Sequence, residues 1–264
     1  MASQWENFLR NLGEWHGSFA SLTAEGVELE RTASILSLQQ GPEERLVQFH
    51  LRRFSGSSTD GTPSREVRED YRSLGRQVVF FETGAFSKGS QQVAPQIPFG
   101  AEFGFVHHDR RFRLVQLHSA SGAFESLVLI REFRAGSQAE ERPPLESTAL
   151  LGPWQGQAAT ISADWPEPEL ASCQIAFSTA PNGALQIRTA IGSAVHDSGA
   201  TPESRLLLLP DSGFSVSPLQ VSHRQPFAVE AGWLPSPGRL ERLIRRYDAS
   251  GAWLSSSHIV ATQV

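Results

Sequence analysis

The sequence predicts an all-β protein built as a tandem duplication of one antiparallel β-barrel, with a short helix ahead of the first copy. Three observations carry this. The segment Phe86 to Phe105 returns as Phe214 to Trp233 at a fixed offset of 128, and eight of the twenty positions are identical: Phe86, Ser87, Gln92, Val93, Pro98, Phe99, Glu102 and Gly104. Two shorter echoes bracket this block in the same order in both halves. Leu12-Gly13-Glu14-Trp15-His16-Gly17 returns as Leu151-Gly152-Pro153-Trp154-Gln155-Gly156, and Ala120-Ser121-Gly122-Ala123-Phe124 as Ala249-Ser250-Gly251-Ala252-Trp253. A repeat longer than the roughly 20–50 residues of a solenoid unit is a whole domain. Between the echoes, short apolar and aromatic runs are divided by Gly, Asp and Ser at the ~8–12-residue spacing of a barrel or sandwich.

The elements follow in order. Trp5, Phe8, Leu9 and Leu12 fall at helical spacing, so a helix opens the chain over Gln4 to Leu12. From Gly13 the pattern becomes that of strands: Val78-Val79-Phe80-Phe81, Phe103-x-Phe105 and Phe112-x-Leu114-x-Gln116 are typical. His108-Asp109, Ser121-Gly122, Pro237-Gly238 and Ser250-Gly251 mark hairpin turns. Leu240 to Arg246 carries a weak helical pattern, but its repeat mate Arg111 to Leu117 favours a strand. Ser55 to Ser64 is polar and predicts a mobile hairpin loop that the second half lacks or shortens. The domains are therefore 1–136 and 149–264, with the Ser-, Glu- and Pro-rich stretch 137–148 as linker. Each half is long enough to bury a core and is expected to fold alone.

A net charge of −5, with the arginines scattered, speaks against nucleic acid as a partner. The only cysteine, Cys173, allows no internal disulfide and fits a reducing, cytoplasmic setting; its neighbours offer nothing to activate it as a nucleophile. The N-terminal residues lack a signal-peptide pattern, and no stretch approaches the ~18 apolar residues of a membrane span.

Gly13-x-Trp15 follows the helix at the head of the first strand, where lipocalins carry a Gly-x-Trp motif, and Gly152-x-Trp154 repeats it. In lipocalins an arginine late in the last strand packs across that indole. Arg131 or Arg134 can do so in the first half, while His258 to Thr262 holds no arginine in the second. With Trp5-Glu6-Asn7-Phe8, Gly84-x-Phe86-Ser87-x-Gly89 and Pro98-Phe99-Gly100-x-Glu102, nearly the whole chain resembles a calycin family of cyanobacteria and plastids made of two consecutive lipocalin-like barrels. That family looks distantly similar to the phycobilin lyases. The resemblance implies a small hydrophobic ligand, such as a tetrapyrrole or lipid, and transfers no catalytic residue.

Glu102 and Glu230 sit in strands among Phe, Gly and Pro, and Arg113 and Arg242 follow across a tight hairpin, with Arg110 and Arg239 also repeated. A carboxylate facing an apolar interior needs such a partner. Each pair is either an internal ion pair or the polar anchor of a ligand cavity. Tyr71, beside Glu69 and Arg72, adds polar material to the first half, and Phe81, Phe86, Phe103 and Phe105 are candidates for a cavity wall, with core packing as the plain alternative. The expected ligand site is thus Glu102, Arg113, Tyr71, Phe81, Phe86, Phe103 and Phe105 in the first barrel, Leu206 to Leu209 filling space in the second. The eight histidines are dispersed and no Cys, His and Asp spacing suits zinc, so neither metal nor cofactor is expected. No phosphate loop or nucleophile elbow is present. The expected function is non-enzymatic binding or carriage of a small hydrophobic molecule, the alternative being a bilin-lyase-like or isomerase-type enzyme acting on one.

Overall fold

The computed structural model describes residues 2–264. Helix α1 (Gln4–Leu9) is shorter than expected and starts at a capping box, Ser3 and Glu6 each bonding the other's backbone N–H. The strands of the first half are β1 (Gly13–Thr23), β2 (Glu28–Gln40), β3 (Val47–Arg53), β4 (Arg65–Tyr71), β5 (Val78–Phe80), β6 (Phe86–Gly89), β7 (Phe99–His107), β8 (Arg110–His118) and β9 (Phe124–Arg134). Those of the second are β10 (Gly152–Ser162), β11 (Glu169–Thr179), β12 (Leu185–Ile191), β13 (Ala194–Gly199), β14 (Ser204–Leu209), β15 (Gly213–Pro218), β16 (Phe227–Ser236), β17 (Arg239–Tyr247) and β18 (Trp253–Gln263).

Both halves have one topology, a nine-stranded antiparallel meander. The first sheet runs β4-β3-β2-β1-β9-β8-β7-β6-β5 and the second β13-β12-β11-β10-β18-β17-β16-β15-β14. First and last strands pair, so each sheet curls into a barrel whose seam lies between the fourth and fifth strands. The 54–64 loop joining β3 to β4 shrinks to Gly192-Ser193 between β12 and β13, which explains most of the change in repeat offset.

Strand alternation then assigns every side chain to one of two faces. On the inner face, one end of each barrel is plugged by tryptophan. Trp15 is fully buried, its Nε1 donating to the Asn11 carbonyl at 3.0 Å, and the Arg134 guanidinium lies 4.4 Å from its ring centre. Trp154 repeats this, donating to Leu150 at 2.8 Å. Gln263 stands where Arg134 stands in the first barrel. It donates to the Leu151 carbonyl as Arg134 donates to Leu12. Trp5 and Phe8 of α1 close this end over Phe80 and Phe86. The second barrel has only a turn at Ser147–Ala149 in place of the helix. Leu208, the mate of Phe80, is consequently left 37% exposed rather than filling space.

The repeated Phe-Ser and Glu-x-Gly have a steric cause. Phe86 is paired across the ladder with Gly104 and its ring lies on that glycine; a Cβ there would stand 2.0 Å from the ring. Phe214 and Gly232 repeat the arrangement at 2.1 Å.

The largest apolar core lies on neither inner face. It is formed between the two sheets by Phe99, Phe103, Phe105, Phe112 and Leu114 against Val229, Ala231, Trp233, Leu243 and Tyr247. The halves therefore share an apolar core between them, in addition to the cluster inside each barrel. Their contacts obey an approximate two-fold. Val93 N–H donates to Gly251 and Val221 N–H to Gly122. Gln116 donates to the Ser215 hydroxyl at 2.7 Å, and Arg245, its mate, reaches the Ser87 hydroxyl at 3.5 Å. His118 bonds the Pro218 carbonyl at 3.0 Å and Tyr247 that of Ser90 at 2.7 Å. The repeated Gln-Val and Ser-Gly-Ala words are thus the vocabulary of this interface.

The linker is docked rather than free. Leu145 is buried in the second barrel's core, and Arg142 N–H donates to Asp211 at 2.8 Å.

Candidate functional site

The inner faces carry charge in their middle layer. In the first barrel Arg113 donates from Nη1 to Glu102 at 2.8 Å and from Nε and Nη2 to both oxygens of Glu132 at 3.0 Å. Burial works against the Arg113 charge, but Glu132 and Glu102 outweigh it and raise its pKa. Arg111 is also buried, within 3.5 Å of Glu132 and over the Trp15 and Phe86 rings. Desolvation pulls its pKa down to about 10 despite Glu132. Tyr71 donates to Glu69 at 2.7 Å; burial and that carboxylate push its phenol up. Phe19 lies between two guanidinia, Arg53 at 4.6 Å and Arg113 at 5.6 Å.

The same face also carries apolar side chains on β1, β3, β4, β8 and β9. Phe19, Leu51, Val67, Val115, Leu117 and Val128 all point inward by register and are only half-buried. Beside them a depression of about 270 Å³ opens at the β2–β3 rim between Thr32, Arg53 and Arg65.

The second barrel keeps the pair and changes its company. Arg242 donates to Glu230 from Nε at 3.1 Å and again from Nη2, to Thr189 at 2.6 Å and to Ser198 at 2.9 Å. His196 Nε2 meets the other Glu230 oxygen at 2.6 Å. Burial opposes ionisation of Glu230, and Arg242 and His196 overrule it, holding the carboxyl down at about 2. Above this layer is a cavity of about 390 Å³, lined by Thr160, Thr189, His196, Arg246 and Ser257 with Ala171 and Ile191 on its apolar side.

Of the residues singled out in the sequence, Glu102, Arg113, Tyr71 and Phe86 lie on one inner face. Phe81, Phe103 and Phe105 do not join them. All three are buried in the core between the sheets, with Phe105 6.3 Å from Trp233 and Phe81 5.3 Å from His258. They occupy the opposite strand parity to Glu102 and Gly104. Arg110 and Arg239 also face outward, toward Asp211 and Glu241. Glu132, Arg111, His196, Thr189 and Arg246 were not singled out. Ladder parity with Arg113 would have found Glu132 and Arg111; the repeat sets Arg246 against Leu117, while His196, whose mate is Val67, left no signal.

Among the described residues no group of three potential metal ligands occurs, and no helix is long and apolar enough to cross a membrane. Cys173 is buried and faces inward, burial pushing its thiol up to about 11.

Residues 1–137 match the family model "Domain of unknown function (DUF3598), N-terminal", and residues 141–264 the model "Biogenesis factor required for ATP synthase 1, C-terminal domain". No curated protein matches the chain. A crystal structure of a DUF3598 protein from Nostoc punctiforme superposes with a TM-score of 0.90 at 38% identity, covering 100% of both chains. Transferrin binding protein B of Haemophilus parasuis reaches a TM-score of 0.27 at 8% identity over 88% of this chain and 53% of its own. Kievitone hydratase of Nectria haematococca reaches 0.23 at 7% over 98% and 91%. Likeness of that order carries no argument. The N-terminal model together with the full-length Nostoc relative shows that the chain belongs to the DUF3598 family.

Proposed function

We propose that this protein is a non-enzymatic binding or carrier protein for a small hydrophobic molecule, held on the inner face of the first barrel. One observation carries the reading: six apolar side chains point inward and remain half-buried, on the same face as Glu102, Arg113 and Tyr71. An apolar wall with a few convergent polar groups is what small-molecule sites share. The calycin assignment belongs to the same proposal, supported by the first-to-last strand closure and by Arg134 lying across Trp15. So do a tetrapyrrole or lipid as ligand and a cytoplasmic setting, for which the unpaired Cys173 speaks.

The test is titration of the full chain with the neutral fluorophore Nile red. Saturation near one equivalent is expected, weakened about tenfold by Leu117→Glu and by Val128→Asp, with no conversion of the probe. Unsaturable binding, or binding indifferent to both substitutions, would overturn the reading; sub-stoichiometric turnover of a natural ligand would favour the enzyme instead. A second reading rests on the match of residues 141–264: a part in ATP synthase biogenesis. Co-purification of ATP synthase subunits with the tagged protein from its host would favour it.

A further inference from the structure

The two barrels differ most at the positions that line their mouths. Ladder register equates Arg246 with Leu117, Ser257 with Val128, Thr189 with Leu51 and His196 with Val67. One copy of the scaffold is thus built with four apolar residues where the other has a guanidinium, two hydroxyls and an imidazole. Thr189 and His196 serve the buried Arg242–Glu230 pair, but Arg246 and Ser257 make no bond to that pair, so satisfying it does not account for them. Burying polar groups costs free energy that a ligand can recover.

Arg246 is the member that the protein leaves short of partners. It points inward from β17 in the same parity as Arg242. Its Nη1 donates to the Ser257 hydroxyl at 3.1 Å, and among the described residues this is its one hydrogen bond and it joins no ion pair. The nearest inward carboxylate, Glu230, is already committed: one oxygen to Arg242 and Ser198, the other to His196. Ser257 in turn shares a hydrogen bond with Thr160 at 2.8 Å. A half-buried guanidinium with most of its fork unfilled, beside two hydroxyls and lining a cavity of about 390 Å³, has the geometry of a receptor for an oxyanion.

We propose that the mouth of the second barrel is a separate binding site for a small organic monocarboxylate, with Arg246 as the group that receives the carboxylate. The charge count selects a monoanion. One cation without a carboxylate of its own faces the cavity, the Arg242–Glu230 pair beneath it is closed, and the exposed Glu169 stands on the rim, so a doubly charged phosphate brings one charge more than Arg246 meets and is repelled by Glu169. The body of the acid rests on Ala171 and Ile191. The volume is at the lower end of the roughly 300–1,000 Å³ of ligand pockets, which suits a small aromatic or branched aliphatic acid.

The experiment uses the full chain and 19F NMR with 4-fluorobenzoate, its neutral isostere 4-fluorobenzamide, and inorganic phosphate as competitor. Saturable binding of the acid at one site is expected, with the amide at least tenfold weaker and phosphate a poor competitor. Arg246→Met should weaken the acid at least tenfold, Arg246→Lys less, and Leu117→Glu in the first barrel should leave it unchanged. Glu169→Gln is on the exposed rim, so its fold is safe, and it should tighten binding two- to threefold. Equal affinity for acid and amide, displacement by phosphate at equal concentration, or indifference to both Arg246→Met and Glu169→Gln would overturn the proposal.

Discussion

Replacing Glu230 by glutamine removes the charge on which Arg242 and His196 both close, and its cost can be worked from the structure. The carboxyl titrates at about 2 in the folded chain against 4.5 for the free side chain. At ~1.4 kcal/mol per unit this is about 3 kcal/mol of stabilisation by the ionised form. Between pH 4.5 and 2 the unfolded chain holds the proton and the native chain does not. The contribution is therefore complete above pH 4.5 and is lost as the pH falls through 2. At pH 3 about one unit remains, worth roughly 1 kcal/mol. Glu230→Gln should accordingly cost about 3 kcal/mol at pH 7, toward the ~3–5 kcal/mol of a broken buried pair, and about 1 kcal/mol at pH 3. Urea unfolding followed by tryptophan fluorescence at the two pH values measures both. The same loss at pH 3 as at pH 7, or under about 1 kcal/mol at pH 7, would show that Glu230 is not an ionised partner of Arg242.

Three more outcomes are expected. His118 is held neutral in the interface, burial lowering its pKa to about 4, so stability should fall as the pH drops from 6.5 to 4; His118→Gln should flatten that stretch of the profile. Gly104→Ala and Gly232→Ala should each lower stability by about 1–3 kcal/mol through the Phe86 and Phe214 rings, and Phe86→Leu should rescue the first but not the second in thermal melts. A protease site placed after Gly136, once cut, should leave the two pieces co-eluting in size-exclusion chromatography, because the core between the sheets and the Arg131–Glu141 ion pair hold them; separation on cutting would show that each half stands alone.

Much of the fold was legible because repetition and alternation are local signals. The hairpins at His108-Asp109 and Pro237-Gly238, the strand at Arg239–Tyr247 and the closeness of Glu102 to Arg113 all follow from them. Face was not legible. Along β7 the phenylalanines at 99, 103 and 105 alternate with Gly100, Glu102, Gly104 and Val106, and the usual expectation puts the aromatic parity inside a barrel. Here the outer parity is the buried, apolar one, because the second sheet covers it, and the charged parity faces the interior. A strand buried on both sides gives no sequence cue as to which side is which. His196 was hidden differently: its contrast with Val67 appears only in the three-dimensional register, whereas the repeat already set Arg246 against Leu117 and only the structure shows that both face inward.

The pairing of β1 with β9, and the face that β7 and β8 turn to the other sheet, set an order of events at synthesis. β1 waits for residues 124–134 before it gains its second neighbour, and Phe99, Phe103 and Phe105 wait longer still, for residues 227–247. At ~5–20 residues per second, that second delay lasts on the order of five to twenty seconds. Throughout it the emerging chain presents a row of phenylalanines to whatever it meets. The interface that makes the mature protein one body is, for those seconds, its most adhesive surface, and sequence changes there should alter yield on expression before they alter anything measured on the purified protein.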